Sequence, residues 1–344
     1  MTTRQGRKRT HANLAAVFGA MLLIGTAGVF SEATAQSGKI AVDIPRNDSD
    51  FWTTYAEYIP AFATELGIDL ITTNSQNDVQ KLVANAQAVV SQGAKAIVMA
   101  PQDTGAVAST LDRLAGQGVP VVTIDTRPDK GKVFMVVRAD NIDLGQKACK
   151  AMGDLVGGTG KVVEIVGGLA NVNGRDRHVG FTECIAANYP GIQIISVPTE
   201  WDPGRAAAGV QTAITQNPDL KGIYTPAGGV FLSAVLQTLK TKDRLFPVGD
   251  AKHITIVSTD GVPEELQGIR DGLVDATVSQ PCDLYARYGL LYAQAALEGK
   301  TYQPGPTDHD STIVDIGNGN LEDQLPGPLV TKANVDDKTL WANQ

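Results

Sequence analysis

From position 39 onward, short apolar runs alternate with longer stretches whose apolar residues recur at helical spacing. Strands are expected at 39–44, 68–73, 96–100 and 121–125, with helices at 51–66, 79–92 and 106–117 between them. In the second of these helices Leu82, Ala86, Val89 and Val90 return every three or four residues or side by side, which defines one buried stripe. Gly67, Gly93 and Gly118 stand where helix C-caps belong. Repeated β-α-β units mean parallel strands with helices on both faces of the sheet.

The second half of the chain repeats the plan. Strands are expected at 161–166, 192–199, 222–225 and 254–259, separated by helices at 177–188, 205–216 and 230–239. Gly67-Ile68-Asp69-Leu70-Ile71 leads through a helix to Ala96-Ile97-Val98-Met99-Ala100-Pro101, and Gly191-Ile192-Gln193-Ile194-Ile195 leads likewise to Gly222-Ile223-Tyr224-Thr225-Pro226. Each half also closes its fourth strand on a hydroxyl followed by an acid, in Thr123-Ile124-Asp125 and Ser258-Thr259-Asp260. The expected class is therefore α/β, with two doubly wound parallel-sheet lobes. Ligands of open parallel sheets bind beyond the carboxyl ends of the strands. Two such lobes face to face bring Asp125 and Asp260 to one cleft.

Composition adds a compartment and removes several function classes. Arg4, Arg7, Lys8 and Arg9 precede an uncharged apolar stretch at 14–30, and Ala33-Thr34-Ala35 offers a small-x-small cleavage site. Residues 1–35 thus read as an export signal, cleaved near Ala35, and no Cys follows the apolar stretch to carry a lipid. A periplasmic location is expected. The chain of 344 residues has a net charge of −8, and loss of the basic leader makes it more acidic still. Such a charge argues against nucleic acid and against anionic lipid. The roughly 300 residues that remain exceed one comfortable core and imply two domains.

A cleft for a polyhydroxylated ligand needs carboxylates to accept from neighbouring hydroxyls, Arg or amide donors, and aromatic faces for C–H patches. Phe51 and Trp52 open a helix just after the first strand and the polar loop Asn47-Asp48-Ser49-Asp50, and Trp201 follows the second strand of the second half. At this point the chain resembles the ribose-binding group of periplasmic solute-binding proteins, the type I periplasmic binding protein fold. The resemblance is carried by Ser75-Gln76-Asn77-Asp78, by Gly118-Val119-Pro120-Val121-Val122-Thr123-Ile124-Asp125, and by Arg175-Asp176-Arg177 before Gly180-Phe181. Thr259-Asp260-Gly261, and Gln280-Pro281 after Ala276-Thr277-Val278, complete it.

The resemblance implies that Phe51 and Trp52 flank one side of a sugar, that Trp201 encloses the other, and that Asp125, Arg175, Asp260 and Gln280 are its polar contacts. It also marks departures. Thr126 stands where the ribose binders carry Arg, and Arg127 follows it. Ala227-Gly228-Gly229 replaces a polar pair, Ser49 occupies an Asn position, and Pro45 replaces a small hydroxyl residue. It further implies three lobe crossings, near 139–141, 280–282 and 309–311. The expected N-terminal lobe is then 39–140 plus 281–310, and the C-terminal lobe 141–280 plus 311–344. The expected role is capture of a monosaccharide or polyol and delivery to an inner-membrane ABC-type permease, by a monomer without cofactor or chemistry of its own. Presentation of ligand to a chemoreceptor would use the same closed lobes.

Other readings fare worse. Asp125 and Asp260 could form the acid/base pair of a sugar hydrolase, but hydroxyl recognition alone already calls for two carboxylates. Gly157-Gly158-Thr159-Gly160 and Gly167-Gly168 lack the Lys-Ser/Thr or Rossmann spacing of phosphate loops. Asp308, His309 and Asp310 are adjacent, so on an extended chain they point to opposite sides and make a poor metal chelate. Of three cysteines, Cys149 and Cys184 fall in helical stretches of the same expected lobe and form the candidate disulfide, with Cys282 left as a thiol.

Overall fold

A computed structural model describes residues 38–344. The export signal read at 1–35 lies outside the described residues.

The first lobe is built from β1 (Lys39–Ile44), α1 (Asp50–Glu65), β2 (Leu70–Asn74), α2 (Val79–Ser91), β3 (Ala94–Met99), α3 (Ala108–Gly116), β4 (Val121–Ile124) and β5 (Met135–Ala139). The second runs from α4 (Asn141–Leu155) and β6 (Thr159–Val166) through α5 (Val172–Asn188), β7 (Gly191–Pro198) and α6 (Pro203–Gln216). It continues with β8 (Leu220–Thr225), α7 (Gly228–Thr241), β9 (Thr255–Asp260), α8 (Pro263–Arg270) and β10 (Ala276–Ser279). The chain then returns to the first lobe with α9 (Cys282–Leu297), β11 (Gly305–Pro306), β12 (Thr312–Asp315) and β13 (Leu321–Leu325). Finally β14 (Leu329–Thr331) joins the second sheet.

The two sheets repeat one strand order. The parallel cores read β2-β1-β3-β4-β5 and β7-β6-β8-β9-β10. In both, the order reverses beside the first strand of the lobe, so the crevice for a ligand opens at the carboxyl ends of β1, β3 and β4 in one lobe and β6, β8 and β9 in the other. Local chemistry sets the helix starts at that edge. Asp78 accepts from the N–H groups of Gln80 and Lys81 (2.7 and 3.0 Å), Asp140 from Ile142 and Asp143, and Asn171 from Asn173. The Asn171 cap starts α5 five residues before the 177–188 stretch expected from periodicity, because its first turns are polar and face the cleft.

The third lobe crossing departs from expectation. β12 and β13 form an antiparallel hairpin, and β13 runs parallel to β5 with Glu322 opposite Val136 and Leu325 opposite Ala139. Residues 311–325 therefore belong to the first sheet, and the chain passes over only between Leu325 and Leu329. The polar strand Leu-Glu-Asp-Gln-Leu is stable there because its acids are paired inside the lobe. Glu322 lies 3.7 Å from Arg138, and Asp323 accepts from Tyr292 Oη at 3.0 Å. The chain end also spans both lobes. Val335 and Leu340 pack in the second core, whereas Trp341 stands edge-on to Phe51 in the first, with ring centroids 5.9 Å apart.

Cys149 of α4 and Cys184 of α5 are joined in a disulfide, with Cα atoms 6.1 Å apart, and Cys282 is a buried thiol. The bond closes a loop of 35 residues, for which chain-entropy arguments give about 2–4 kcal/mol. The C149A/C184A variant should show an unfolding free energy lowered by that amount in urea titration, and so a lower midpoint. Peptide mapping of the non-reduced protein should recover the two cysteines cross-linked and Cys282 free.

Candidate ligand-binding cleft

The cleft is organised by two carboxylates that end equivalent strands. Asp125 follows β4 and Asp260 closes β9, and both have left-handed backbone, with φ of 59° and 127°. Non-glycine residues adopt this region at a cost of order 1–3 kcal/mol and do so mainly where function requires a side chain to be aimed. Both are nearly buried, at 6% and 4% exposure, and they line one cavity of about 40 Å³ between the lobes.

Asp260 is held on three sides. Gln280 Nε2 donates to its Oδ1 at 2.7 Å, the Gly229 N–H at the start of α7 donates to its Oδ2 at 3.1 Å, and Arg177 Nη1 lies 3.7 Å away. Gln280 is fixed in turn, since Tyr285 Oη donates to its Oε1 at 3.2 Å and receives the Ala139 N–H at 2.8 Å. Asp125 has its carbonyl tied to the opposite lobe by Asn173 Nδ2 at 3.1 Å. Burial raises Asp125 to about 6, opposed by the charges of Arg177 and Arg138 and by Asn173. Burial likewise raises Asp260 to about 6, opposed by Arg177, Gln280 and Gly229, with the Asp125 charge adding to the rise.

Arg177 is the cavity cation that acts on both aspartates, and Arg46 is the other cation in the lining. Arg177 is 2% exposed, and its Nε donates to Asn141 Oδ1 at 2.6 Å while Nη1 donates to the Pro226 carbonyl at 2.5 Å. The sequence pointed instead to Arg175, which does not line the cavity. Two residues along a helix is a turn of about 200°, so Arg175 leaves the face shared by Asn173 and Arg177. It pairs with Asp129 and donates to the Leu169 carbonyl at 3.0 Å on the exposed rim. Thr126 and Arg127 are also outside the cavity lining. The tight turn at Asp125 leaves Thr126 fully buried, and Arg127 lies 3.9 Å from Asp176 and 3.7 Å from Glu322 at the lobe seam.

Ser49, Phe51, Trp52, Trp201 and Ala227 all line the cavity. Phe51 and Trp52 occupy the first turn of α1 with their rings perpendicular at 5.3 Å. Trp201 has φ 61° and lies on a floor of Gly167, Gly168 and Gly174, where any Cβ would come within 2.3–3.3 Å of the indole. Its other neighbour is Phe231, stacked at 6.1 Å. The Gly167-Gly168 turn thus makes room for an aromatic wall. Trp201 Nε1 and Ser49 Oγ are buried polar atoms without a protein partner.

Sequence reasoning missed Arg46, Gln102, Asn171, Asn173, Arg177 and Val230 in the lining. Asn173 and Arg177 were readable as an i, i+4 pair on one helix face. Arg46, bonded to Asp48 at 2.5 and 3.0 Å, gave no signal in the sequence because a lone Arg after a strand is ordinary. Arg138, outside the lining, braces the closed arrangement from the first lobe, its Nη2 donating to Asn173 Oδ1 at 3.0 Å and Asp176 Oδ2 at 2.9 Å.

Residues 40–301 match the family model described as periplasmic binding protein domain. The chain belongs to that family. The ribose import binding protein of Salmonella typhimurium is 27% identical over 264 residues, covering 77% of this chain and 86% of its own length. The xylitol-binding protein of Mycolicibacterium smegmatis is 23% identical over 333 residues, covering 94% of this chain and 88% of its own. Among solved structures, an ABC transporter solute-binding protein from Mycobacterium smegmatis with bound glycerol superposes with a TM-score of 0.75. It is 24% identical, over 87% of this chain and 96% of that one, which speaks for the shared fold. These periplasmic binding proteins are named for binding and import. Among the described residues no helix is long and apolar enough to cross a membrane, and no cluster of His, Cys, Asp and Glu is placed to hold a metal.

Closure should depend on pH. In the closed cleft both aspartates keep protons up to about 6, against an ordinary 3.8 in water. The closed form therefore binds more protons than an open form across that window, so its advantage is full below 3.8 and lost as pH rises through 6. Small-angle scattering of ligand-free protein should give a smaller radius of gyration at pH 4.5 than at pH 7.5. The D125N/D260N variant should lose that difference.

Proposed function

We propose that this chain is the exported binding component of an ABC importer, and that it captures a neutral monosaccharide or polyol in the cleft. The observation that carries the reading is the pairing of Asp125 and Asp260 from opposite lobes with the buried Arg177 and the aromatic walls Phe51, Trp52 and Trp201 around one cavity. Adjacent hydroxyls of a sugar or polyol both donate and accept. They satisfy a carboxylate and a guanidinium at once, while C–H patches meet the rings. The names of relatives that bind ribose, D-allose and xylitol agree with this class.

The leader 1–35 would direct the chain to the periplasm and be removed near Ala35, and the mature protein would act as a monomer with no cofactor. Asp125, Asp260 and Gln280, with Ser49 and Ala227 beside them, form the ligand set in this reading, and Arg177 takes the place of Arg175. The free volume of about 40 Å³ suits a water or two, so loading requires the lobes to part. A ligand that bridges both carboxylates then favours the closed form, and a permease reads loading from that closed shape. A hydrolytic pair would need its two carboxyl groups pushed apart in proton affinity. Here burial raises both carboxyl groups and the Arg177 charge opposes the rise in both, and hydroxyl recognition alone accounts for the pair.

Calorimetry against pentoses, hexoses and polyols should find one ligand per chain. Binding of an amino acid or peptide, with no response to any sugar or polyol, would overturn the reading. R177A should weaken binding by about 10–100-fold, the equivalent of one charge-assisted hydrogen bond at roughly 1.5–3 kcal/mol. R175A should stay within about threefold of the parent.

A further inference from the structure

Beside Asp260 lies a second buried acid that does not line the cavity. Glu265, in the first turn of α8, has no exposed surface. Its Oε2 accepts the Val262 N–H at 2.7 Å, which closes the turn that follows Asp260, and its Oε1 shares a hydrogen bond of 2.7 Å with Thr277 Oγ1. Ser258 bonds to the same carboxyl group and to Thr225, with the two hydroxyl oxygens 2.6 Å apart. One carboxyl group therefore bonds β9 and β10 directly, and β8 through Ser258, beside the strand end that carries Asp260. The fold makes space for it at Gly228, where a Cβ would stand 2.2 Å from the Glu265 carboxyl carbon.

We propose that Glu265 is a positioning residue for the cleft, whose carboxyl group locks the Asp260 turn so that Asp260 is aimed at the ligand. The proposal rests on the sugar- or polyol-binding reading given above. The left-handed backbone of Asp260 needs support from outside its own strand, and the Val262 N–H is the group through which Glu265 gives it. Glu265 acts as a neutral acid. The charged group facing it is Asp260, backed by Arg177 at 3.7 Å, while β10 and the first two turns of α7 bring no ionisable side chain. Burial first, and the Asp260 charge second, raise it to about 8, against the hydrogen bonds from Ser258, Thr277 and Val262. At neutral pH the proton therefore stays on Glu265, and Asp260 keeps its charge for the ligand.

Two measurements test this. In the first, D-ribose, D-allose, xylitol and myo-inositol are titrated into the parent, E265A and E265Q, each checked for folding by thermal melting. The amide of E265Q reproduces the neutral acid, so E265Q should bind within threefold of the parent, whereas E265A should lose at least tenfold. Equal losses in both variants, or none in E265A, would overturn the proposal. The second needs no ligand. A buried acid raised from 4.5 to about 8 destabilises the fold progressively as pH rises between those values. The urea midpoint of the parent should therefore fall relative to E265Q from pH 5 to pH 8, and a constant difference would refute the neutral acid. If none of the four compounds binds the parent, the ligand class proposed above is wrong for those compounds, and the second measurement still decides the state of Glu265.

Discussion

Two carboxylates buried in one cavity need a countercharge, because each ion taken from water costs several kcal/mol. Arg177 supplies it from α5, and much of the structure serves to keep that guanidinium in place. Asn141, just past the first lobe crossing, holds Nε, and the Pro226 carbonyl before α7 holds Nη1. With both anchored, the charge is aimed where Asp125 and Asp260 converge, and it opposes the rise that burial imposes on both. Gln280 and Tyr285 extend the same restraint to the second crossing, so the strand end that carries Asp260 is tied to the chain where it passes between the lobes.

The parallel sheets were legible because their strands are nearly pure apolar runs with glycine punctuation. The expected strand at 39–44 coincides with β1 and the other expected strands shift by at most two residues at either end, whereas β5 and β10, one in each parallel core, were not foreseen. Asp125 and Asp260 were legible for a related reason, since residues at the carboxyl ends of parallel strands have few places to go. The polar elements were not. β13 has three polar residues in five, and nothing local shows that Glu322 will meet Arg138 or that Asp323 will meet Tyr292. That pairing is a tertiary fact, and without it the third crossing was set some fifteen residues too early.

The arginine error has a different origin. Arg175 and Arg177 are chemically identical, and only the phase of α5 separates them. That phase depends on where the helix starts, which Asn171 decides through one hydrogen bond to the Asn173 N–H. A helix whose inner face is polar gives periodicity nothing to work with. The residues hardest to place from sequence are thus those whose polarity serves the cleft.

The tail has a consequence for observing the molecule. All three tryptophans of the chain sit where the lobes meet. Trp52 and Trp201 face one cavity from different lobes, and Trp341 leans on Phe51 while its neighbour Leu340 is rooted in the other core. No tryptophan is spent in the interior of a single sheet, so indole emission comes wholly from the seam. The protein thus carries its own optical gauge of opening, one that requires neither a dye nor an engineered probe.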